Sequence, residues 1–145
     1  MNIHMIKLVV GVESLDEYAR IIQGHLVDYE GQMVNPVWTR HKPKHAEELV
    51  RDGASIYRVI KNRIQCRQKI LGFEMVESSD KGTQCLIMVE PQIIQTISTP
   101  KRPFQGWRYF EPAAVPRDRG VYLGGGQREE IPAELEEELQ AAGLL

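Results

Sequence analysis

Between Ser55 and Val89 the chain offers one β-forming run after another with little helical alternative, and this stretch limits the fold more than any other. Ser55–Ile60 and Ile64–Val76 are rich in branched and aromatic residues and are joined around Lys61-Asn62-Arg63. Gly72, inside the longer run, marks a bulge or bend. Ser78-Ser79-Asp80-Lys81-Gly82 is a turn, and Cys85–Val89 (CLIMV) is a continuous apolar run, the mark of a strand covered on both faces. Gln92–Ile97 is a further strand. Several strands in direct succession favour antiparallel pairing, because no crossover helix separates them.

The residues before this run alternate. His4–Val10 reads as a first strand ended by Gly11. Ser14 is a helix N-cap, with Glu17 completing a capping box and Asp16 in the first turn. Leu15, Tyr18, Ile21, Ile22, Leu26 and Tyr29 then recur at helical spacing, so a helix is expected from about Leu15 to Tyr29, weakened at Gly24. Gly31–Pro36 leads into a short extended piece at Val37–Arg40. Pro43 suits a first helical position, and Lys44–Arg51 is expected to be a short helix stopped by Asp52-Gly53. After the strands, Pro100, Pro103, Pro112 and Pro116 punctuate a mostly irregular stretch. The order βα, βα, then strands defines an α+β domain with a largely antiparallel sheet, curved toward a barrel and flanked by helices.

At 145 residues and 42% apolar content the chain is expected to hold one packed domain, residues 1–122. Residues 123–145 form a separate tail: a Gly124-Gly125-Gly126 joint and an acidic helix from Ile131-Pro132 to about Ala142, with Leu135, Leu139 and Leu144 as its apolar stripe. The apolar run near the N-terminus is too short for a membrane span and lacks the layout of an export signal, so the expected location is the cytoplasm, away from any membrane. Cys66 and Cys85 form no metal-type pair and no disulfide framework; they read as reduced core thiols.

Charge is segregated. The net charge is −2, yet Val37–Lys69 carries +6 and Lys101–Arg119 carries +3, while Met1–Pro36, Ile70–Pro100 and Gln127–Leu145 are acidic. Each basic block holds one of the two tryptophans. A near-neutral chain with basic, aromatic-bearing segments is suited to present one face to a polyanion.

Three features could form that face. The first is Trp38-Thr39-Arg40-His41-Lys42-Pro43-Lys44, in which three fixed cations and an aromatic stand at a strand-to-helix junction; the ordinary alternative is a solvated loop with Trp38 in the core. The second is the long strand, where Arg63, Gln65, Arg67 and Lys69 alternate and would share one face as a basic stripe of roughly 20 Å. Gln68 falls on its apolar face, where it must be hydrogen-bonded and could read a ligand edge. The third is Lys101–Phe110, in which Arg102, Gln105, Trp107 and Arg108 interleave cations, an amide and aromatics, as an unstacked-base site requires; the alternative is a hydrophobic clasp on the sheet edge.

Catalytic motifs are absent. There is no HExxH and no Gly-x-Ser-x-Gly, and Gly124–Gly126 is not followed by Lys-Ser/Thr. His41 and His45 lack the further ligands of a zinc site. Asp52, Tyr57 and Lys61 could serve acid–base chemistry, but nothing in their spacing demands it. The residues imply no metal and no cofactor.

The strings Met5–Val10, Gly53–Leu71 (GASIYRVIKNRIQCRQKIL), Arg102–Tyr109 (RPFQGWRY), Pro116-Arg117-Asp118 and Leu144-Leu145 resemble the bacterial family catalogued as domain of unknown function 1489. That resemblance implies no activity. More distantly, the layout resembles PUA-like domains, and among them the EVE type. The matching features are the strand Lys7–Val10, the helix opening at Ser14–Tyr18, Trp38 followed by Arg40 and His41, the Lys44–Arg51 helix, the Asp52-Gly53 step, Tyr57, and Ile70–Val76 (ILGFEMV). Here His41 stands in place of an Asn, and the Asp-Gly order is reversed. This resemblance implies a mixed barrel that binds RNA or a modified base in DNA.

The expectation is therefore a non-catalytic nucleic-acid-binding module, with RNA the first partner and DNA the second. Arg40, Lys42, Lys44, Arg63 and Arg67 would neutralise phosphates, with His41, Arg102 and Arg108 on the same face. Trp38, Tyr57 and Trp107 would stack on or wall a base, and Gln65, Gln68 and Gln105 would read base edges. The rival expectations are a small PUA-like nuclease of the ASCH type and an adaptor that docks on a protein partner through the acidic C-terminal helix.

Overall fold

The computed structural model describes residues 2–123. The glycine joint and acidic helix expected beyond them lie outside the described residues. Among these residues, nine strands form a mixed, largely antiparallel open sheet, accompanied by two α-helices. Strand β1 (His4–Leu8) leads to α1 (Leu15–His25), β2 (Val27–Tyr29) and β3 (Gln32–Thr39). Then follow α2 (Ala46–Arg51), β4 (Ser55–Ile60), β5 (Arg63–Ser78), β6 (Gly82–Val89), β7 (Ile94–Pro100), β8 (Trp107–Phe110) and β9 (Asp118–Val121).

The strand order is β2-β3-β6-β5-β4-β1-β8, with β7 on β5 and β9 on β7. Among the described residues only β1 and β4 run parallel, and the crossover between them carries α1 and α2. The long β5 is the spine. Its first half lies between β4 and β7, and its second half pairs with β6. The register slips between Ile70 and Gly72, where the bulge expected at Gly72 bends the strand. A Cβ at Gly72 would meet Met88 Cε at 3.2 Å and Tyr29 Oη at 3.6 Å, so the strand closes here on its neighbours. Gly72→Val is expected to cost about 1–3 kcal/mol by overpacking, read from urea unfolding.

Because β5 bends, the sheet curls over one core of Met5, Val37, Ile56, Ile70, Ile87 and Val89, capped by Leu49 of α2. A second cluster lies under α1, with Leu15, Tyr18 and Ile22 against Ile60, Cys66 and Ile93. A third, on the other face of β4, joins Ile6, Tyr57, Val59, Ile64 and Phe110. Both cysteines are free and buried, and burial pushes the Cys66 thiol up to about 12.

The helix expected to reach Tyr29 ends at His25. Its start is as expected, with Ser14 Oγ accepting from Glu17 N–H at 3.1 Å. Its end is overridden by a hairpin. Glu30 and Gly31 both take positive φ, Gly31 N–H donates to Asp28 Oδ1 at 2.9 Å, and Val27–Tyr29 pairs with β3. Pro36 lies just beyond the residues of β3 that pair with β2, where its missing N–H leaves no ladder bond unmade on that side. The short helix begins at Ala46 rather than Lys44, because Lys44 and His45 form a turn closed by Ala46 N–H donating to the Pro43 carbonyl at 3.2 Å.

His4 joins β1 to β4. Its Nδ1 accepts from Ser55 N–H at 3.0 Å, so the ring is neutral in the fold. Burial, and then the charge of Arg67, lower its pKa from the ordinary 6.5. As pH falls, the unfolded chain takes up this proton first. The stability His4 contributes is intact above about pH 6.5 and is lost as pH falls through the lowered folded value. His4→Gln is expected to flatten the melting-temperature profile between about pH 7 and 5; an equally steep profile in the variant would assign the acid loss to other groups.

Candidate nucleic-acid interface

The two basic blocks meet. Residues 40–45, between β3 and α2, lie against the edge strand β8, which among the described residues pairs only with β1. Trp107 Nε1–H donates to the His41 carbonyl at 2.8 Å, and His45 N–H donates to Tyr109 Oη at 3.1 Å. The Trp107 and Tyr109 rings meet edge to face at 4.9 Å, and the His45 ring lies 5.5 Å from Tyr109. Alternation along β8 turns Trp107 and Tyr109 to this side, where both pack on the core under the sheet. Trp107 is thus an anchor for the loop rather than a free stacking plate.

Arg40, His41, Lys42 and Lys44 are exposed, and among the described residues the three fixed cations have no carboxylate at ion-pair distance. Two residues before Arg40, near the end of β3, Trp38 is 46% exposed. Arg108 turns to the other face of β8, its guanidinium 4.8 Å from the Phe104 ring centre. Arg102 and Gln105 are exposed on the loop that leads into β8.

The β5 stripe does not form. Tyr57 pairs with Arg67 and Val59 with Ile64, while Arg58 pairs with Cys66 and Ile60 with Arg63. The register slips at Gln65, by one residue in the pairing with β4 and by two in the pairing with β7, and the slip against β4 sets Arg63 and Arg67 on opposite faces. Their polar atoms are also engaged within the fold. Arg63 bonds Ser98, with Nη2–H to its carbonyl at 3.1 Å, and Gln65 Nε2 donates to the Ile60 carbonyl at 2.8 Å. Arg67 holds Asp118 through two bonds of 2.8 and 2.9 Å and donates to Ser55 Oγ at 2.8 Å. An arginine in a bidentate pair is already neutralised, so Arg67 is a clamp on β9 rather than a free phosphate site.

Tyr57 is no base-stacking wall, and Gln68, hydrogen-bonded on the apolar face as expected, faces the chain rather than a ligand. Tyr57 is 3% exposed, packed edge to face on His4 and Phe110, and belongs to the core. Gln68 is fully buried, and both ends of its amide are used by the chain itself. Its Oε1 accepts from Tyr18 Oη at 2.7 Å, and its Nε2 donates to the Glu90 carbonyl at 2.9 Å. Asp52 and Lys61 flank β4 at its two ends, roughly 20 Å apart at strand rise, so the acid–base group with Tyr57 is not assembled.

One group of residues escaped the sequence reading. Arg58, only 5% exposed, donates to Tyr18 Oη at 2.9 Å and to the carbonyls of Lys7 and Leu8 at 3.3 Å. Asn35, 4% exposed, reaches both Tyr18 Oη and Gln68 Oε1 at 3.4 Å through Nδ2. Lys7, Tyr18, Asn35 and Arg58 line a cavity of about 300 Å³ between α1, β1 and β3, with Trp38 in its wall. Burial, and then Arg58, lower the Lys7 pKa. The available signal was a lone arginine inside the apolar run Ser55–Ile60, a strand with neighbours on both sides.

The fold and this surface define an α+β protein on a bent, mainly antiparallel sheet, with an exposed cationic loop tied to an edge strand. The chain belongs to the family described as protein of unknown function (DUF1489), whose match covers residues 5–145. No curated protein and no solved structure matches it. Among the described residues, no helix is long and apolar enough to cross a membrane.

Proposed function

We propose that the protein is a non-catalytic cytoplasmic module that binds single-stranded nucleic acid, RNA before DNA, on a PUA-like curved sheet. The observation that carries this reading is the anchored loop. Arg40, Lys42 and Lys44 are exposed cations without carboxylate partners among the described residues, held in place by the His41–Trp107 and His45–Tyr109 bonds beside an exposed Trp38. Fixed cations spaced along a rigid loop suit successive phosphates, and an open indole two residues away suits a base. The bent sheet, with one parallel pair and the rest antiparallel, supports the PUA-like reading.

The test is fluorescence anisotropy of a labelled single-stranded RNA against salt, with Trp38→Ala alongside. Binding is expected to weaken with salt at about −0.7 per phosphate contact in log–log form, and Trp38→Ala is expected to cost about 1–3 kcal/mol. Salt-independent binding, or a Trp38→Ala variant that binds like wild type, would refute it.

A further inference from the structure

We propose that the cavity between α1, β1 and β3 binds a small ligand with a flat ring and a phosphate monoester, of the class of nucleoside monophosphates. Its floor carries a positive charge that the fold does not balance. Arg58 is almost fully buried, yet its three hydrogen bonds go to two carbonyls and the Tyr18 hydroxyl, and no carboxylate among the described residues pairs with it. Two of its five N–H donors have no partner among the described residues. A buried guanidinium without a counter-ion is costly, and an anion entering the cavity relieves that cost.

Lys7 pairs with Arg58 across the parallel β1–β4 ladder, so a second cation faces the same space. Two adjacent cations suit a doubly charged monoester better than a single carboxylate. The remaining lining sorts by chemistry. Asn35 has an amide oxygen with no partner among the described residues, available to a ring N–H. Trp38, with Ile21 and Pro36, supplies flat and apolar walls. A volume of about 300 Å³ lies at the small end of ligand sites, room for one ring-bearing unit and not for a strand.

The same chemistry can come from a free mononucleotide or from the phosphorylated end of a strand. Calorimetric titration of the full chain with the four ribonucleoside 5′-monophosphates separates these from an eight-nucleotide RNA with or without a 5′-phosphate. Arg58 supports the fold, so the probing variants are Lys7→Gln and Asn35→Asp, the second placing a carboxylate next to Arg58. The expected result is saturable binding of a mononucleotide or of the 5′-phosphorylated strand, weakened roughly tenfold or more by Lys7→Gln and abolished by Asn35→Asp. Preference for the mononucleotide identifies a free ligand, and preference for the phosphorylated strand identifies a strand end. Binding unaffected by either substitution would overturn the proposal, as would failure of all these phosphate esters to bind. The cavity shares Trp38 with the loop site, but its charge comes from Lys7 and Arg58 rather than from Arg40, Lys42 and Lys44. A chain that binds the two strands equally and no mononucleotide loses the cavity and keeps the loop; one that binds a mononucleotide but not the unphosphorylated strand does the reverse.

Discussion

Replacing Arg40, Lys42 and Lys44 together by alanine is expected to lower affinity for single-stranded RNA by about tenfold to a hundredfold at moderate salt, and to reduce the salt slope by about 2. All three side chains are exposed and make no ion pair among the described residues, so their removal takes charge away without taking a structural contact with it. The loop backbone stays pinned, because its bonds to β8 use the His41 carbonyl and the His45 N–H rather than these side chains. Arg40→Ala, Lys42→Ala and Lys44→Ala taken singly are compared with Lys81→Ala, in the exposed β5–β6 turn, as the control for loss of one charge. If the triple variant binds with unchanged slope, the loop is only a solvated surface.

Gln68→Leu is expected to be the most damaging single change to stability, at about 3 kcal/mol, or a melting temperature lower by roughly 10 °C. The leucine fits the volume but carries no polar atom. Tyr18 Oη loses its 2.7 Å acceptor, Asn35 loses one of its two partners, and the Glu90 carbonyl loses its donor, all around a fully buried position. Buried groups left without partners cost their desolvation outright, which a filled cavity does not return. Thermal unfolding followed by circular dichroism reads the effect. A change under about 1 kcal/mol would mean that water replaces the amide.

The elements legible in the sequence were those whose own residues decide them. The Ser14 cap with its acidic first turn, the Lys61-Asn62 turn with both residues at positive φ, the Gly72 bulge and the apolar run Cys85–Val89 each carry a local signal. The short strands β2, β8 and β9 carry almost none. Four residues such as Trp107–Phe110 become a strand only because β1 offers an edge, a property of the assembled sheet. The β5 stripe failed for a related reason. Strict alternation holds until a single extra residue enters against β4, and nothing in Ile64-Gln65-Cys66 announces that the slip falls there.

For the candidate site, the basic loop and the basic-aromatic edge were each visible as composition. Their contact through Trp107 and His41, 66 residues apart, was not, since long-range pairing leaves no mark on spacing. Tyr18 read as helix core and Asn35 as part of a lead-in segment. Only folding brings them onto Arg58, and that places a polar cluster at a cavity whose members lie on α1, β1, β3 and β4.

The most direct measurement is a backbone amide map, by nuclear magnetic resonance, of the full chain titrated with a short single-stranded RNA. The proposed function predicts that the largest, saturating shifts fall on Trp38–His45 and on Phe104–Arg108, the two segments joined at Trp107. Shifts confined elsewhere, such as the β5–β6 turn or the outer face of α1, or no saturable shift with any strand, would contradict it.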